Sequence, residues 1–259
     1  MLSLSQIASL YPPTLQPFGR SMLREYLQYK ILNLIFESTY GAKLSFLGGT
    51  ALRIVYDNTR FSEDLDFDNF GLEYSEFTAL AEKIQYGLQL EGMIVQIDTV
   101  SKGAYRCRIR LPEILYQNEL SALTEEKILI QIDSMAHHFP YVPDQKIINK
   151  FDVFSRISVT PIDILLSQKL FAAISRKRAK GRDFFDIIFL LSRTLPNYAY
   201  LREKIGVTTA EELKEKLSQD IAALDFHELA RDVEPFLFTP SDSKKVEMFP
   251  EYISGANLG

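Results

Sequence analysis

Apolar residues recur at helical spacing from Arg20 up to Gly41, which predicts one long helix in the first part of the chain. The pattern then changes, because a short apolar run at Leu44–Leu47 ends at a pair of glycines. Helical spacing returns at Ala51–Tyr56. We therefore predict a strand, a glycine turn and a helix in succession.

Polar and apolar residues alternate with period two from Phe61 to Asp68. This alternation predicts a strand that has Leu65 and Phe67 on its apolar face. Three aspartates share the opposite face: Asp64, Asp66 and Asp68.

The rest of the chain divides into an α/β part and a helical part. A helix is predicted at Ser75–Glu91, followed by strands at Met93–Val100, Ala104–Leu111 and Lys127–Asp133, the last of them apolar and central. From Thr160 the spacing predicts helices at about 160–179, 182–195, 208–219 and 225–238. We expect an α/β (α+β) domain at 1–149, a mixed sheet with flanking helices, and a helical domain at 150–259.

Composition limits the classes of protein. The chain has 259 residues, of which 46% are hydrophobic and 24% are charged, so it is globular and neither disordered nor collagen-like. A single cysteine, Cys107, excludes an intramolecular disulfide and favours a reducing, cytoplasmic location. No signal peptide or membrane span is expected. The net charge of -5 argues against an evenly basic nucleic-acid surface but permits a local basic patch.

The glycine turn and the aspartate strand together suggest phosphate chemistry. Glycines before a helix let the backbone approach a phosphate, and the helix offers unpaired N–H groups. Asp64 and Asp66 point to one side and would repel each other without a cation, which a hard ion such as Mg²⁺ supplies. Alone, the glycines could be an ordinary turn and the aspartates a solvated face. Their combination favours phosphoryl or nucleotidyl transfer.

The sequences GGTALR (48–53) and RFSEDLDFD (60–68) resemble the opening motif of the AbiEii/AbiGii-type toxins, a branch of the nucleotidyltransferase superfamily related to DNA polymerase β. The spacer between Gly49 and Asp64 is slightly longer than is common in the superfamily. The resemblance implies that Asp64 and Asp66 bind metal ions, with two Mg²⁺ ions expected. It also implies that the triphosphate of an NTP is held by Gly48, Gly49 and Thr50, with Ser62 in a supporting role. Asp68 is expected to be solvated or to support the metal ligands.

The superfamily also uses a third carboxylate on a neighbouring strand, which shares a metal ion and activates the acceptor hydroxyl. Asp133 is the best candidate, because it ends an apolar strand where a charge is otherwise costly. Asp133 could instead be a strand-end residue that starts a turn. Asp98 is the other candidate for the role.

The helical half begins with Thr160 as a predicted N-cap and Pro161 as the first helical residue. In this phase Lys169 lies on the apolar stripe and needs an anionic partner, either a triphosphate or an internal carboxylate. The similarity of its "QKL-A" surroundings to the AbiEii-type pattern supports the phosphate.

The R-D-x-x-D sequence also resembles a family motif and contains Arg182, Asp183 and Asp186. The two aspartates are neighbours on one helix face. We expect these residues to organise the nucleotide site and its lysine rather than to be primary metal ligands. Alternatively, Asp183 caps the helix dipole and Arg182 pairs with a carboxylate.

Other charged and reactive residues carry weaker indications. Five of the seven residues at 176–182 are Lys or Arg, which is suitable for the phosphates of a nucleotide or RNA, or for a solvated helix end. Arg106, Arg108 and Arg110 form a second positive strip or face solvent. His137 and His138 lack partners at metal-ligand spacing, so surface or loop positions are expected. Cys107 is expected to be structural.

These observations predict transfer of a nucleoside monophosphate from an NTP to an acceptor hydroxyl. By resemblance, the protein is the toxin of a toxin–antitoxin or abortive-infection system, with a cognate antitoxin and an RNA acceptor such as a tRNA 3′ end. The alternatives are a small-molecule or protein acceptor, and a catalytically silent nucleotide- or RNA-binding module.

Overall fold

A mixed sheet of seven strands organises the first part of the protein. The computed structural model describes residues 1–259. The strands are β1 (Leu44–Leu47), β2 (Leu65–Asn69), β3 (Gln96–Lys102), β4 (Ala104–Pro112), β5 (Lys127–Ala136), β6 (Asp144–Lys150) and β7 (Val153–Val159). Their order across the sheet is β3-β4-β5-β2-β1-β7-β6. Because β1 is antiparallel to β2 but parallel to β7, and β2 is parallel to β5, the sheet is mixed as predicted.

Helices make up most of the remaining chain. The α-helices are α1 (Leu4–Ala8), α2 (Gly19–Phe36), α3 (Gly48–Tyr56), α4 (Tyr74–Leu90), α5 (Ile114–Gln117), α6 (Ile162–Ser175), α7 (Gly181–Leu191), α8 (Tyr198–Ile205), α9 (Ala210–Ile221), α10 (Phe226–Val233), α11 (Lys244–Glu247) and α12 (Phe249–Gly255). Short 3₁₀ helices lie at Pro13–Phe18, Thr39–Lys43, Glu234–Phe236 and Pro240–Ser243. No helix has both the length and the apolar character that a membrane crossing requires.

The sheet has one apolar and one polar face, because side chains alternate along each strand. Ile109 on β4 and Ile132 on β5 are buried, whereas Arg106 and Asp133 on the opposite face are partly exposed. Helices α2 and α4 pack against each other and against strands of the sheet. The acidic side of β2 therefore shares a polar face with β4 and β5.

The chain forms two units. The sheet unit contains Met1–Asp57 and Phe61–Thr160, and the helical unit contains Asn58–Arg60 and Pro161–Gly259. The boundary thus lies at Thr160 rather than near residue 149. The reason is that β6 and β7, which the sequence pattern did not reveal, form a hairpin that joins the sheet through β1.

Several predicted element ends also shift. The aspartate strand begins at Leu65, so Asp64 precedes β2, and α3 begins at Gly48 rather than Ala51. The predicted N-cap is wrong, because α6 begins at Ile162 with Pro161 as its cap. The Thr160 hydroxyl instead forms hydrogen bonds with the side chains of Ser45 and Tyr141. Helix α8 was not predicted.

Candidate functional site

The glycine turn packs directly against the second motif aspartate. Gly48 has a φ of +80° and begins α3, whose first turn has no side-chain cap. A Cβ on Gly48 would collide with Oδ2 of Asp66 and lie 3.1 Å from the Cβ and Cγ atoms of that residue. Glycine is therefore required both by the left-handed backbone and by the close carboxylate. The uncapped first turn leaves backbone N–H groups of α3 without partners inside the helix.

Two polar side chains fix the loop that leads into β2. The buried Thr50 hydroxyl donates a hydrogen bond to the backbone carbonyl of Asp64. The Gln28 side chain on α2 donates to the carbonyls of Ser62 (3.1 Å) and Glu63 (2.9 Å). Gln28 was not among the predicted site residues, because nothing in the local sequence connects α2 to this loop. These bonds hold the motif strand relative to the glycine turn.

Asp66, Asp133 and Arg106 form one row across three neighbouring strands. The strand register places Asp66 opposite Asp133, and Asp133 opposite Arg106. Nε of Arg106 donates to Oδ1 of Asp133 at 2.7 Å, and Nε2 of Gln131 donates to Oδ2 at 2.8 Å. The hydrogen bond and charge of Asp133, with a further contribution from the charge of Asp64, raise the pKa of Arg106. Carboxylates and a cation thus share the polar face.

Asp98, the other candidate for the third carboxylate, lies on the edge strand β3. Strands β4 and β5 separate it from β2. Its carboxylate pairs with the guanidinium groups of Arg108 and Arg110. Asp133, and not Asp98, is therefore next to the motif strand. The three arginines of β4 are paired with carboxylates and do not form a free positive strip.

Asp68 is buried rather than solvated. Its Oδ2 accepts a hydrogen bond from the Tyr141 hydroxyl at 2.6 Å and lies 3.0 Å from Nδ1 of His137. Burial, followed by the charge and hydrogen bond of Asp68, raises the pKa of Tyr141. The side chain of His137 is enclosed and that of His138 is exposed, and both residues lie in the loop that follows β5, in agreement with the expected surface or loop positions. These contacts of Asp68 hold the carboxyl-terminal end of β2 in place.

The donor set suits a hard divalent ion. Asp64, Asp66 and Asp133 supply carboxylate oxygens, which Mg²⁺ prefers. No group of three or more His, Cys, Asp or Glu side chains is gathered around a single metal position. Within the sheet unit the cation that contacts Asp133 is the guanidinium of Arg106. Asp66 and Asp133 are therefore of the right chemistry for Mg²⁺ and are in register on paired strands, and Asp133 is paired with an arginine.

Lys169 in the helical unit is paired with both aspartates of the R-D-x-x-D motif. Its Nζ lies 3.0 Å from Oδ1 of Asp183 and 2.8 Å from Oδ2 of Asp186. Burial opposes the charge of this lysine, but the two carboxylates outweigh it and raise the pKa of Lys169. The internal carboxylates therefore supply an anionic partner, one of the two that the sequence left open. The expectation that the motif organises its lysine agrees with this geometry.

Asp186 is also held by Arg60, for which the sequence pattern predicts no role. Nε and Nη2 of Arg60 donate to the two oxygens of Asp186 at 2.7 and 2.6 Å, and Asn58 donates at 2.8 Å. Arg60 and Asp186 are 2% and 0% exposed. Burial would raise the pKa of Asp186, but Arg60 and Lys169 lower it to about 2. This cluster is a buried ionic centre of the helical unit.

The basic run at 176–182 lies at the surface of the helical unit and is partly neutralised. Arg176 pairs with Asp183 at 2.6 Å, and the guanidinium of Arg182 lies 4.5 Å from the ring centre of Phe236. A cavity of about 530 Å³ is lined by both basic and acidic side chains, among them Arg178, Lys180, Arg182, Asp225, Glu228 and Asp232. The run is therefore not a uniformly positive surface.

A glycine turn before a helix, beside carboxylates in register on the strands of a mixed sheet, defines a nucleotidyltransferase fold. Two solved structures share it. JHP933 from Helicobacter pylori has 18% identity and a TM-score of 0.55, and the match covers 90% of this chain and 91% of that chain. A candidate nucleotidyltransferase from H. pylori has 19% identity and a TM-score of 0.57, and the match covers 90% of this chain and 94% of that chain.

The family follows from the sequence match. The protein-family model described as nucleotidyl transferase AbiEii toxin, type IV toxin–antitoxin system, matches residues 30–248 of the chain. The chain belongs to this family and is a nucleotidyltransferase, which confirms the resemblance seen in its motifs. The comparison with curated proteins gives no match.

Proposed function

We propose that this protein transfers a nucleoside monophosphate from an NTP to an acceptor hydroxyl in a reaction that requires Mg²⁺. The observation that carries the proposal is the packing of the Asp66 carboxylate against Gly48, with Asp133 in register on the adjacent strand. The glycine turn and the two carboxylates thereby lie next to each other in the sheet unit. This combination is suited to phosphoryl chemistry.

Asp64, Asp66 and Asp133 would hold two Mg²⁺ ions. When bound, Mg²⁺ would reduce the repulsion between the polyphosphate and the attacking oxygen. Asp133 would also orient the acceptor hydroxyl and accept its proton. Its position on β5 supports this role, because the side chain faces the polar side of the sheet and is 26% exposed.

The triphosphate would bind at the start of α3 through backbone N–H groups of Gly48 and Gly49. Thr50 would contribute only its backbone N–H, since its hydroxyl already donates to the Asp64 carbonyl. Ser62 would support the loop through its carbonyl, which accepts from Gln28. In this arrangement the backbone binds the phosphates and the aspartates bind the metal ions.

In the helical unit, Lys169 would bind the triphosphate, as its family-like surroundings indicate. Asp183 and Asp186 would hold its amine in place, and Arg182 would support the motif. Because both carboxylates already contact the amine, phosphate would have to share Lys169 with them. Lys169→Met should therefore weaken NTP binding more than it changes the turnover of bound NTP.

The acceptor would be RNA, with a tRNA 3′ end as the first candidate, and the biological role that of a toxin in a toxin–antitoxin or abortive-infection system. The family description supports the toxin role and a cognate antitoxin as partner. The exposed lysines and arginines near residue 178 support an acceptor that carries phosphates. A cytoplasmic location is consistent with the single cysteine.

The test is incubation of the purified protein with each labelled NTP, Mg²⁺ and cellular RNA. The wild type should label RNA, and Asp66→Ala should reduce the label to background while its circular dichroism spectrum is unchanged. Asp98→Asn is the matched control, because it removes a carboxylate from the edge strand of the same sheet and should retain activity. Transfer by Asp66→Ala at the wild-type rate would reject the site. NTP binding without transfer to any acceptor would identify a silent binding module instead.

A further inference from the structure

Arg106 is the one arginine of β4 that contacts a proposed metal ligand. Its Nε donates to Asp133 at 2.7 Å, whereas Arg108 and Arg110 pair with Asp98 on the edge strand. The charge of Asp64 also acts on the Arg106 guanidinium. A single positive side chain therefore contacts Asp133, one of the three carboxylates that are proposed to bind Mg²⁺.

Both oxygens of Asp133 are engaged in this arrangement. Oδ1 accepts from Arg106, and Oδ2 accepts from Gln131 at 2.8 Å. A carboxylate that coordinates a divalent ion must turn a lone pair to the ion. In addition, a guanidinium and a dication a few ångströms apart repel each other. The Arg106 contact and metal coordination by Asp133 are therefore in competition.

The Arg106 side chain can separate from Asp133 without unfolding of the sheet. Its side chain is 43% exposed and that of Asp133 is 26% exposed, so water can replace the ion pair at small cost. By contrast, the Arg60–Asp186 pair in the helical unit is buried, so separating its two charges is costly. The exposed pair on the sheet is of the kind that can break and re-form during a binding cycle.

We propose that Arg106 is an internal counter-ion of the carboxylate row, which holds Asp133 while no divalent cation is bound and swings away when one binds. This inference rests on the proposed function, because it assumes that Asp133 is a metal ligand. Arg106 keeps the like charges of Asp66 and Asp133 compatible in the metal-free protein. The consequence is that Arg106 lowers the affinity of the site for the cation.

The test measures metal binding directly. Mn²⁺ replaces Mg²⁺ as the probe, and free Mn²⁺ is followed by electron paramagnetic resonance at constant ionic strength. Arg106→Gln should bind Mn²⁺ about 3- to 10-fold more tightly than the wild type, because an exposed ion pair and a like-charge repulsion are both removed. Arg108→Gln is the matched control, since it removes the same charge two residues along the same face and should leave the Kd within about 2-fold.

A second readout follows Arg106 in the wild type. Its Nε–H resonance, assigned by its absence from the Arg106→Gln spectrum, should shift when Mg²⁺ saturates the protein, since the bond to Asp133 breaks. A resonance that stays in place at saturating Mg²⁺ would overturn the proposal. Unchanged or weaker Mn²⁺ binding by Arg106→Gln would also overturn it. An equal fall in the Kd for Mn²⁺ in Arg106→Gln and Arg108→Gln would also overturn it, because the effect would then come from net charge and not from the contact with Asp133.

Asp66→Asn separates failure of this inference from failure of the proposed function. If Asp66→Asn weakens Mn²⁺ binding but Arg106→Gln does not strengthen it, the metal site stands and the counter-ion role is wrong. If Asp66→Asn leaves Mn²⁺ binding unchanged, or if the wild type binds no Mn²⁺, the carboxylates do not form a metal site. Both proposals then fail together.

Discussion

Asp186→Asn tests how the helical unit is held together. The Asp186 carboxylate receives two bonds from Arg60, at 2.7 and 2.6 Å, and lies 2.8 Å from Nζ of Lys169. Asparagine has nearly the same shape but no charge, and its amide group would face N–H donors. Lys169 would keep Asp183 as a partner, whereas Arg60 would remain buried without the carboxylate that neutralises it.

Breaking a buried ion pair by removing one partner costs about 3–5 kcal/mol. We expect the lower end, about 3 kcal/mol, because the carbonyl oxygen of the new amide can still accept hydrogen bonds from Arg60 and Asn58. For a chain of this size the loss corresponds to a fall in Tm of about 6–12 °C.

The same pair predicts a pH dependence. The pKa of Asp186 falls from its ordinary 3.8 to about 2 in the folded protein. The stabilisation is therefore fully present above about pH 5 and is lost as the pH falls towards 2. The difference in stability between the wild type and Asp186→Asn should be constant near neutral pH and should shrink within this acidic window.

Urea unfolding followed by circular dichroism measures the free energy of unfolding of both proteins. Asp220→Asn is the control, because Asp220 forms an exposed pair with Lys216 at 3.3 Å in the same unit and should cost at most about 0.5 kcal/mol. If Asp186→Asn lost no more stability than Asp220→Asn, the buried pair would not stabilise this unit.

Two further predictions concern the sheet unit. Gly48→Ala should lower the free energy of unfolding by about 2–4 kcal/mol, because the left-handed backbone and the collision with Asp66 both oppose a Cβ at this position. Gly71→Ala is the control and should lower it by about 1 kcal/mol, since Gly71 has a φ of +88° but no atom within 4 Å of the added Cβ. Equal losses in urea unfolding would show that the collision is relieved. Cys107 should react with a thiol reagent only on unfolding, because it is 1% exposed and burial, with the charge of Asp98, raises its pKa to about 12. A rapid absorbance change of a chromogenic thiol reagent mixed with the native protein would contradict this prediction, because it would show that Cys107 is accessible in the folded state.

The strand–turn–helix–strand unit could be predicted because its determinants are local. A glycine pair stops β1, and period-two alternation marks β2, so the motif residues specify their own geometry. Asp133 could be chosen because a charge next to an apolar run is unusual, although the predicted strand end is wrong, since β5 continues to Ala136 and Asp133 lies within it. Its register with Asp66 follows only from the parallel pairing of β2 and β5, which the sequence does not specify.

Features that depend on distant residues could not be predicted. Strand β7 joins the sheet at Phe46, far earlier in the chain, and its partner β6 is too polar to stand out by periodicity. The Arg60–Asp186 pair joins positions separated by 126 residues. Nothing near Arg60 distinguishes a buried cation from a solvated one. Neither pairing has a local signature, so tertiary packing decides both.

The short segment Asn58–Arg60 belongs to the helical unit although residues of the sheet unit flank it on both sides. No single cut of the polypeptide can therefore separate the two units intact. A fragment that started at Pro161 would contain Asp186 and Lys169 but lack the Arg60 guanidinium, which donates to both oxygens of Asp186. The complementary fragment would carry Arg60 without its carboxylate. The helical part is thus a discontinuous domain, and its final ionic centre can close only after both distant stretches of chain have been synthesised.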